Sequence, residues 1–398
     1  MARPWEFQLP TRILFGRGAL RKLGRAAGGL GRSVFLVGYA DTAPLAAVYH
    51  RAERLLAEAD LRFERFYGVP PDPEADLVCQ GAERARSGGA EVVIGLGGGS
   101  VIDAAKGIAA LARMGGKPWD YAGANPDGKP VTESLPVVAV PTTAGTGSEV
   151  SAVAVFTHRG VGSNPDVPLK ASISGPAIQP AVALVDPDLA TGSPPQLTAS
   201  CGADALGHAI EASVSRRANP VASLLAARAV ALIVGHLPPA VNNPDDPGPR
   251  QPLALAATLA GAAFSQAGVV VTHAIAQALG AVLHVPHGAA VAVATPPVLR
   301  FNAPACVDPY AELAEACRIT ADSAQAKASR FVETIANLLR AVGLPQRVRV
   351  PRPVDDQLVD ELVQNAREST PVPITLNPSK VDDCQLAELF RQVLCSGR

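Results

Sequence analysis

The sequence predicts two domains: an α/β domain with a parallel, Rossmann-like sheet (residues 1–190), followed by an all-α domain (residues 191–398). Three observations support this. The chain has 398 residues, enough for two domains with separate cores. In the first half, short apolar runs alternate with helical stretches, a pattern typical of crossover units and a parallel sheet. In the second half, one helical stretch follows another.

The elements of the first domain follow from this alternation. The run S-V-F-L-V ends at a glycine and leads into a helical stretch, and the same pattern then repeats. The run E-V-V-I-G-L leads into a glycine loop and another helix. We predict strands at 33–37, 61–66, 91–96, 135–140 and 181–185, and helices at 43–59 and about 74–87.

The second domain consists of Ala- and Leu-rich helical stretches with breaks, one of them at 344–354. The Pro-, Asn- and Asp-rich segment 238–250 is interpreted as a surface loop. The long apolar stretch 253–272 is rich in Ala and Gly and contains Ser265 and Gln266. It therefore predicts a buried helix and not a membrane span.

Composition excludes several classes of protein. The net charge is −1 and 18% of residues are charged, which does not favour a nucleic-acid or membrane-surface partner. Six cysteines without a C-x-x-C pair indicate free intracellular thiols. The N-terminus lacks the apolar core of a signal peptide. We therefore expect a cytoplasmic protein.

Four residues of the second domain form a candidate metal-ligand set. Asp204 and His208 lie four residues apart in G-A-D-A-L-G-H, so on a helix both project from one face. His273 opens another apolar helical stretch, and His287 follows it between a proline and a glycine. Three neutral imidazoles and one carboxylate suit a borderline divalent cation such as Fe(II) or Zn(II), with a position left for a substrate oxygen.

Any one of these histidines, taken alone, is more often an ordinary helix or loop residue. The chain has only seven histidines, however, and one short segment holds His273, His284 and His287. This concentration, together with the Asp-x-x-x-His pair upstream, favours a site.

The first of two candidate cofactor loops is G-G-G-S at 97–100. It follows an apolar run and precedes a helix, whose free N–H groups and dipole favour an anion. We expect Ser100 to cap that helix, with Asp103 completing a pair similar to a capping box. The pattern G-x-G-x-x-S misses the dinucleotide fingerprint by one glycine, so a tight structural turn remains an alternative.

The second loop, T-T-A-G-T-G-S at 142–148, strengthens the prediction of a nucleotide site. It follows another apolar run and offers hydroxyls and backbone donors. A dinucleotide bound across the ends of parallel strands needs two such loops. The predicted contacts are Gly97, Gly98, Gly99, Ser100, Asp103, Thr142, Thr143, Thr146 and Ser148.

Motifs along nearly the whole chain indicate a family. They are P-T-R-I-L-F-G-R-G-A-L (10–20), G-G-G-S-V-I-D-A-A-K (97–106), P-T-T-A-G-T-G-S-E-V-S (141–151), L-V-D-P-D-L (184–189) and N-P-S-K (377–380). By these motifs the sequence resembles the iron-containing, or group III, alcohol dehydrogenases. The resemblance implies a dehydroquinate synthase-like architecture. It also places Asp204, His208, His273 and His287 on the family's four metal-ligand positions.

The resemblance implies a reaction as well. A metal polarises the oxygen of a small alcohol or aldehyde, and hydride passes between substrate and NAD(P)(H). Family members commonly carry a histidine for proton relay one turn after His273, where this chain has Gln277. A glutamine cannot exchange a proton near neutral pH. Either a water chain or His284 therefore carries the proton, although a histidine in this place is more often a packed residue beside the ligands than a catalytic one.

Further cofactor contacts are also implied by the resemblance. In the family, an acidic residue after the second strand binds the adenosine ribose and disfavours a 2′-phosphate. Here Tyr39 occupies that position and Asp41 lies two residues later, so NADP is slightly favoured and NAD remains open. Asp72, Lys170 and Leu189 are expected to be further neighbours of the cofactor.

Alternative functions remain, both among enzymes and among proteins without catalytic activity. The same fold supports glycerol dehydrogenases, maleylacetate reductases and a carbon–oxygen lyase. A nucleotide-binding structural protein without catalysis is the non-enzyme alternative, which the four-residue ligand set argues against. We expect a homodimer or higher homo-oligomer. The sequence does not specify which alcohol or aldehyde is the substrate.

Overall fold

Eight strands belong to the N-terminal half of the chain, and six of them form one parallel sheet. A computed structural model describes residues 4–396. The strands are Arg12–Phe15 (β1), Ser33–Tyr39 (β2), Arg62–Val69 (β3), Val92–Gly97 (β4), Val137–Pro141 (β5), Val153–His158 (β6), Leu169–Ser174 (β7) and Val182–Val185 (β8). The sheet order is β1-β8-β5-β4-β2-β3. The predicted parallel sheet is therefore confirmed.

The central strands are apolar along their whole length because both faces of the sheet are covered. Every residue of β4 and β5 is buried, as expected for a parallel sheet between two layers of helices. The covering helices are Leu23–Gly28 (α1), Ala46–Ala57 (α2), Ala75–Ser87 (α3) and Gly99–Met114 (α4).

Strands β6 and β7 pair as an antiparallel hairpin beside the sheet, and the sequence analysis did not predict this hairpin. The hairpin packs on α4, where a Cβ on Gly107 would lie 2.6 Å from the Phe156 ring. Only glycine therefore permits this close approach.

The predicted cap of α4 is wrong. The helix begins at Gly99 with Gly98 in the cap position, and no side chain of residues 4–396 caps it. Asp103 instead accepts hydrogen bonds from Ser148 Oγ (2.5 Å) and from the Val155 N–H (3.0 Å). The first amides of α4 consequently remain available to an anion.

The C-terminal half is a bundle of helices. They are Pro195–Val214 (α5), Pro220–Asn242 (α6), Arg250–Ala267 (α7), Val271–Leu283 (α8), His287–Asn302 (α9), Val307–Ala316 (α10), Ala324–Ala341 (α11), Asp356–Ser369 (α12), Pro371–Leu376 (α13) and Asp383–Val393 (α14). The all-α prediction misses one small element, because Val348–Val350 (β9) and Leu394–Ser396 (β10) pair in parallel. Strand β9 lies in the predicted break 344–354.

Two predicted boundaries in this half are wrong. Helix α6 continues through Pro238 and Pro239 to Asn242, so the predicted loop 238–250 begins only after it. The predicted single helix over 253–272 is interrupted at Gly268, whose φ of +75° ends α7. The chain turns by 104° between α7 and α8.

Within residues 4–396, α6 is the one unbroken helix long and apolar enough to cross a membrane by length and composition; α7 and α8 pass that test only as a bent pair. One face of α6 is buried against α5, α7 and α10. Its apolar character is therefore explained by its place in the bundle.

The two halves meet at the loop after β5. A Cβ on Gly147, whose φ is +62°, would lie 2.4 Å from the Cα of Gly261 in α7. In the same region Glu149 accepts a hydrogen bond from Thr258 Oγ1 (2.8 Å). Strand β8 ends at Val185 and α5 begins at Pro195, so the predicted boundary at residue 190 lies in the connection.

Candidate active site

Three helices bring the four predicted metal ligands together. Asp204 and His208 lie one turn apart on α5, His273 lies in the first turn of α8, and His287 is the first residue of α9. Asp204 Oδ1 is central: it lies 3.7 Å from His208 Nδ1, 3.5 Å from His273 Nε2 and 3.3 Å from His287 Nε2. The spacing of these residues in the sequence thus converges on one point.

Three ligand atoms of this cluster have no hydrogen-bond partner in the described part of the chain. They are Asp204 Oδ1, His208 Nδ1 and His273 Nε2, all buried. The candidate ligand atoms of these three residues lie within 4.8 Å of one another. Burial of an unpaired polar atom is unfavourable, so a shared cation is the physical partner that fits them. His287, 32% exposed, lies on the solvent side of the cluster.

Glu211 is a further candidate residue of this site, and the sequence pattern did not identify it. Its Oε2 contacts His273 Nδ1, and its Oε1 accepts from the N–H groups of Val270 (3.1 Å) and His273 (3.3 Å). Because a carboxylate only accepts, the His273 ring donates from Nδ1 and keeps Nε2 free for an ion. The available signal was the spacing, since Glu211 follows Asp204 and His208 on the same face of α5.

The two carboxylates beside His273 stabilise positive charge on its ring. Burial acts to lower the pKa of His273, but Glu211 and Asp204 outweigh burial and raise it to about 10. Burial lowers the pKa of His208 to about 3, with Asp204 opposing the change. Despite burial, the pKa of Asp204 lies well below its usual value because the histidines stabilise the carboxylate. A divalent ion would replace the protons that otherwise balance the negative charge of these carboxylates.

The two glycine-containing loops touch each other across the ends of β4 and β5. A Cβ on Gly99 would lie 2.5 Å from Thr146 Cγ2. At the end of β2, the Tyr39 hydroxyl accepts a hydrogen bond from the Gly98 N–H (2.9 Å). Tyr39 therefore lies directly against the first loop.

Lys106, at the end of the G-G-G-S-V-I-D-A-A-K motif, is a second residue that the sequence analysis did not single out. Its ammonium is fully buried and donates to Ser148 Oγ (2.8 Å), Ser151 Oγ (3.2 Å) and the Val153 carbonyl (2.8 Å). Burial lowers the pKa of Lys106 to about 8, while Asp103 opposes this change. Lys106 thereby fixes the second loop to α4.

A cavity of about 190 Å³ connects the loops with the four candidate metal ligands. Asp72 lies at its edge, with φ of +53° and an ion pair to Lys170 (2.7 Å). The predicted site residues that line this cavity are Asp72, Gly99, Ser100, Asp103, Thr146, Ser148, Lys170, Asp204, His208, His273, Gln277 and His287.

Other predicted residues lie elsewhere. His284 is exposed at the C-terminal end of α8, in left-handed conformation with φ of +54°, and lies outside the lining of the cavity. Its predicted proton-relay role, like its alternative as a packed residue, therefore lacks a structural basis. Leu189 is buried in the apolar core of the N-terminal half. Asp41 accepts from the Ala43 N–H (3.0 Å) in an exposed turn. Thr142, Thr143, Gly97 and Gly98 form the loops without lining the cavity.

Comparisons with known proteins agree with this geometry. The family model "Iron-containing alcohol dehydrogenase" matches residues 10–187, and the model of the C-terminal domain of the same family matches 198–394. The chain is similar to the 1-propanol dehydrogenase PduQ of Citrobacter freundii, with 34% identity over 98% of this chain and 100% of that protein. It is 32% identical to the NAD-dependent methanol dehydrogenase of Bacillus methanolicus, over 98% of this chain and 100% of that protein.

A solved structure gives the same result. An archaeal halo-thermophilic alcohol dehydrogenase from a Red Sea brine pool, bound to NZQ, has a TM-score of 0.91 to this chain. The two chains are 30% identical, and the match covers 99% of this chain and 100% of the archaeal chain.

The chain belongs to the iron-containing alcohol dehydrogenase family. It is a metal-dependent alcohol dehydrogenase that acts on small alcohols or aldehydes with a metal ion and a nicotinamide dinucleotide. The glycerol dehydrogenase, maleylacetate reductase and non-enzyme alternatives are not favoured.

Proposed function

We propose that the enzyme interconverts short primary alcohols and aldehydes, using Fe(II) on Asp204, His208, His273 and His287. The observation that carries this proposal is the set of buried, unpartnered ligand atoms that meet at Asp204 Oδ1. Imidazole and carboxylate ligands suit a borderline ion such as Fe(II), with Zn(II) as the alternative. A 1-propanol dehydrogenase and a methanol dehydrogenase are among the relatives of this chain, which supports a short primary alcohol as substrate.

Each part of the cavity has a distinct role in this proposal. When bound, the ion supplies a Lewis acid at the substrate oxygen and the dinucleotide accepts or delivers hydride. Glu211 holds the His273 ring in one orientation through Nδ1. Phe264 stacks on His208 with ring centroids 4.3 Å apart and shields the cluster from water.

Proton transfer is proposed to follow a water chain. Gln277 Oε1 is buried without a partner among the described side chains and lines the cavity. The amide can orient a water molecule or a ribose hydroxyl, but it cannot release a proton near neutral pH. The exposed position of His284 leaves water as the remaining carrier in this proposal.

The proposed dinucleotide is NADP, with NAD as the alternative. Burial raises the pKa of Tyr39, so its hydroxyl is neutral beside the loop. The Asp41 carboxylate is engaged with the Ala43 N–H at an exposed turn. The end of β2 therefore offers no carboxylate in the place that would repel a 2′-phosphate. The remaining predicted contacts from the two loops, with Asp72 and Lys170, form the rest of the proposed dinucleotide site.

We further propose a cytoplasmic homo-oligomer built from a nucleotide-binding domain (1–190) and a metal-binding domain (191–398). The six cysteines are free thiols, which supports a reducing compartment. Strand β1 is an edge of the sheet, and Trp5 and Leu224 are large exposed apolar side chains. An open strand edge and exposed apolar side chains support self-association.

The test is reconstitution of the metal-stripped enzyme. We expect propanal reduction to disappear on chelation, to return with Fe(II) and, less completely, with Zn(II), and not to return with Ca(II). The assay is run with NADPH and with NADH. Full activity of thoroughly metal-stripped protein would contradict the proposed ligand set, and a preference for NADH would contradict the proposed dinucleotide.

A further inference from the structure

A second cavity, of about 420 Å³, adjoins the cavity that the four candidate metal ligands line. We call it the Arg217 cavity. Five side chains line both cavities and therefore form their junction: Val153, Val155, Phe264, Val269 and Gln277. A ligand bound beside the candidate metal ligands can therefore extend into the Arg217 cavity. Its volume is within the range of small-molecule sites.

The charge in this cavity is of one sign. Among the described residues that line it, Arg217 is the only charged one, and no Asp or Glu is present. Arg217 is exposed, and no ion pair within residues 4–396 involves it. A guanidinium without a carboxylate partner at the edge of a cavity is available to an anionic ligand.

The other polar side chains are largely engaged with the protein. Gln266 bonds the backbone of Gln8 in both directions (3.1 and 2.7 Å), and Gln179 donates to a backbone carbonyl (2.9 Å). The hydroxyls of Ser369 and Thr370 donate to carbonyls one turn earlier in α12 (2.7 and 2.8 Å). Arg217 is consequently the charged donor that this cavity leaves for a ligand, and Gln277 lies at the junction of the two cavities.

We propose that the Arg217 cavity holds the distal part of the substrate, and that the preferred substrate carries a terminal anionic group. This inference rests on the proposed function. It specifies a short aldehyde, or the corresponding alcohol, with a carboxylate or sulfonate a few carbons from the reacting carbon. Reduction consumes one hydride from the dinucleotide and one proton, the aldehyde becomes the alcohol, and the anionic group is unchanged.

The test is a matched pair of aldehydes, butanal and 4-oxobutanoate, which differ in the terminal methyl or carboxylate. We expect the ratio of kcat/KM for 4-oxobutanoate over butanal to be about five to ten in the wild-type enzyme, since Arg217 is partly screened by solvent. Arg217→Gln should bring the ratio to about one, mainly through KM for 4-oxobutanoate, and Arg217→Glu should bring it below one. Arg217→Lys should restore part of the preference.

The neighbouring Arg216 provides the matched control. Arg216 is also exposed but does not line the cavity, so Arg216→Gln should keep the wild-type ratio. An equal ratio in the wild-type, Arg217→Gln and Arg217→Glu enzymes, with butanal still reduced, would overturn this inference and leave the proposed function standing. No reduction of either aldehyde by the Fe(II)-loaded enzyme with NADH or NADPH would overturn both.

Discussion

On the helical side of the cavity, Asp204 Oδ1, His208 Nδ1 and His273 Nε2 find no hydrogen-bond partner among residues 4–396. On the nucleotide side the polar side chains bond one another: Lys106 donates to Ser148, and Ser148 donates to Asp103. The first arrangement is incomplete without a cation, whereas the second is a completed support for two loops. Substitutions on the helical side should therefore change catalysis most, and substitutions on the nucleotide side should change cofactor preference more gradually.

The largest effect is expected for His208→Ala and His287→Ala. Loss of either imidazole removes a ligand of the proposed ion, so kcat should fall about 10³-fold or more. Binding of the dinucleotide, measured by quenching or enhancement of its fluorescence, should remain within a few-fold of wild type because the loops lie in the other half of the chain. Retention of wild-type turnover in either variant would contradict the proposed metal site.

Two buried histidines, one on each side, have pKa values shifted in opposite directions. Two carboxylates raise the pKa of His273 to about 10, whereas burial lowers the pKa of His158 in β6 to about 4. Between pH 6.5 and 4, the unfolded chain thus binds a proton that folded His158 does not, and stability falls as pH falls. His158 should cost up to about 3 kcal/mol of unfolding free energy over this window.

The measurement is urea unfolding of the wild-type and His158→Asn enzymes at a series of pH values. The variant should lose this part of the acid dependence. The exposed His50→Asn controls for removal of a histidine as such. Parallel pH dependences for the wild-type and His158→Asn enzymes would contradict the assignment.

Glu211→Gln should have an intermediate effect. An amide in place of the carboxylate weakens the hydrogen bond that orients His273, so metal affinity should fall about 10- to 100-fold. The readout is competition with a chromogenic chelator, which does not depend on turnover. Glu149→Gln is the matched control, because Glu149 is an equally buried carboxylate that binds Thr258. Equal metal affinity in the two variants would show that Glu211 has a structural role only.

A smaller effect is expected on the nucleotide side. Tyr39→Asp should shift the ratio of NAD to NADP turnover about tenfold toward NAD, because a carboxylate binds the ribose hydroxyls and repels a 2′-phosphate. Tyr39→Phe removes only the hydroxyl that accepts from Gly98 and should leave the ratio unchanged. If Tyr39→Asp leaves NADP turnover unaffected, the assumed position of the ribose relative to β2 is wrong.

The convergence of the four candidate metal ligands was easier to predict from the sequence than their surroundings, and the reason is physical. The Asp-x-x-x-His spacing singled out Asp204 and His208, and the concentration of histidines in one short segment singled out His273 and His287. Glu211 was missed because a glutamate in a helix is ordinary unless its burial is known.

The errors have the same origin. His284 was a candidate for proton relay through its place in the histidine-rich segment, but its left-handed position at the end of α8 leaves it exposed and outside the lining of the cavity. The predicted cap at Ser100 was wrong because the helix begins at Gly99, two residues before the start that such a cap implies. Both outcomes depend on backbone geometry at helix ends, which periodicity does not determine.

The smallest expected effect is at the junction of the two cavities. Gln277→His places an imidazole where the buried amide now lies, with an ordinary pKa near 6.5 before burial and a nearby cation lower it. A new limb should then enter the pH–rate profile between about pH 5 and 7, with kcat changed only a few-fold. Gln277→Ala should weaken substrate or dinucleotide binding without adding a limb, because it introduces no ionisable group. If both variants reproduce the wild-type profile and KM values, Gln277 is a packing residue, and the water chain must be sought from another side of the cavity.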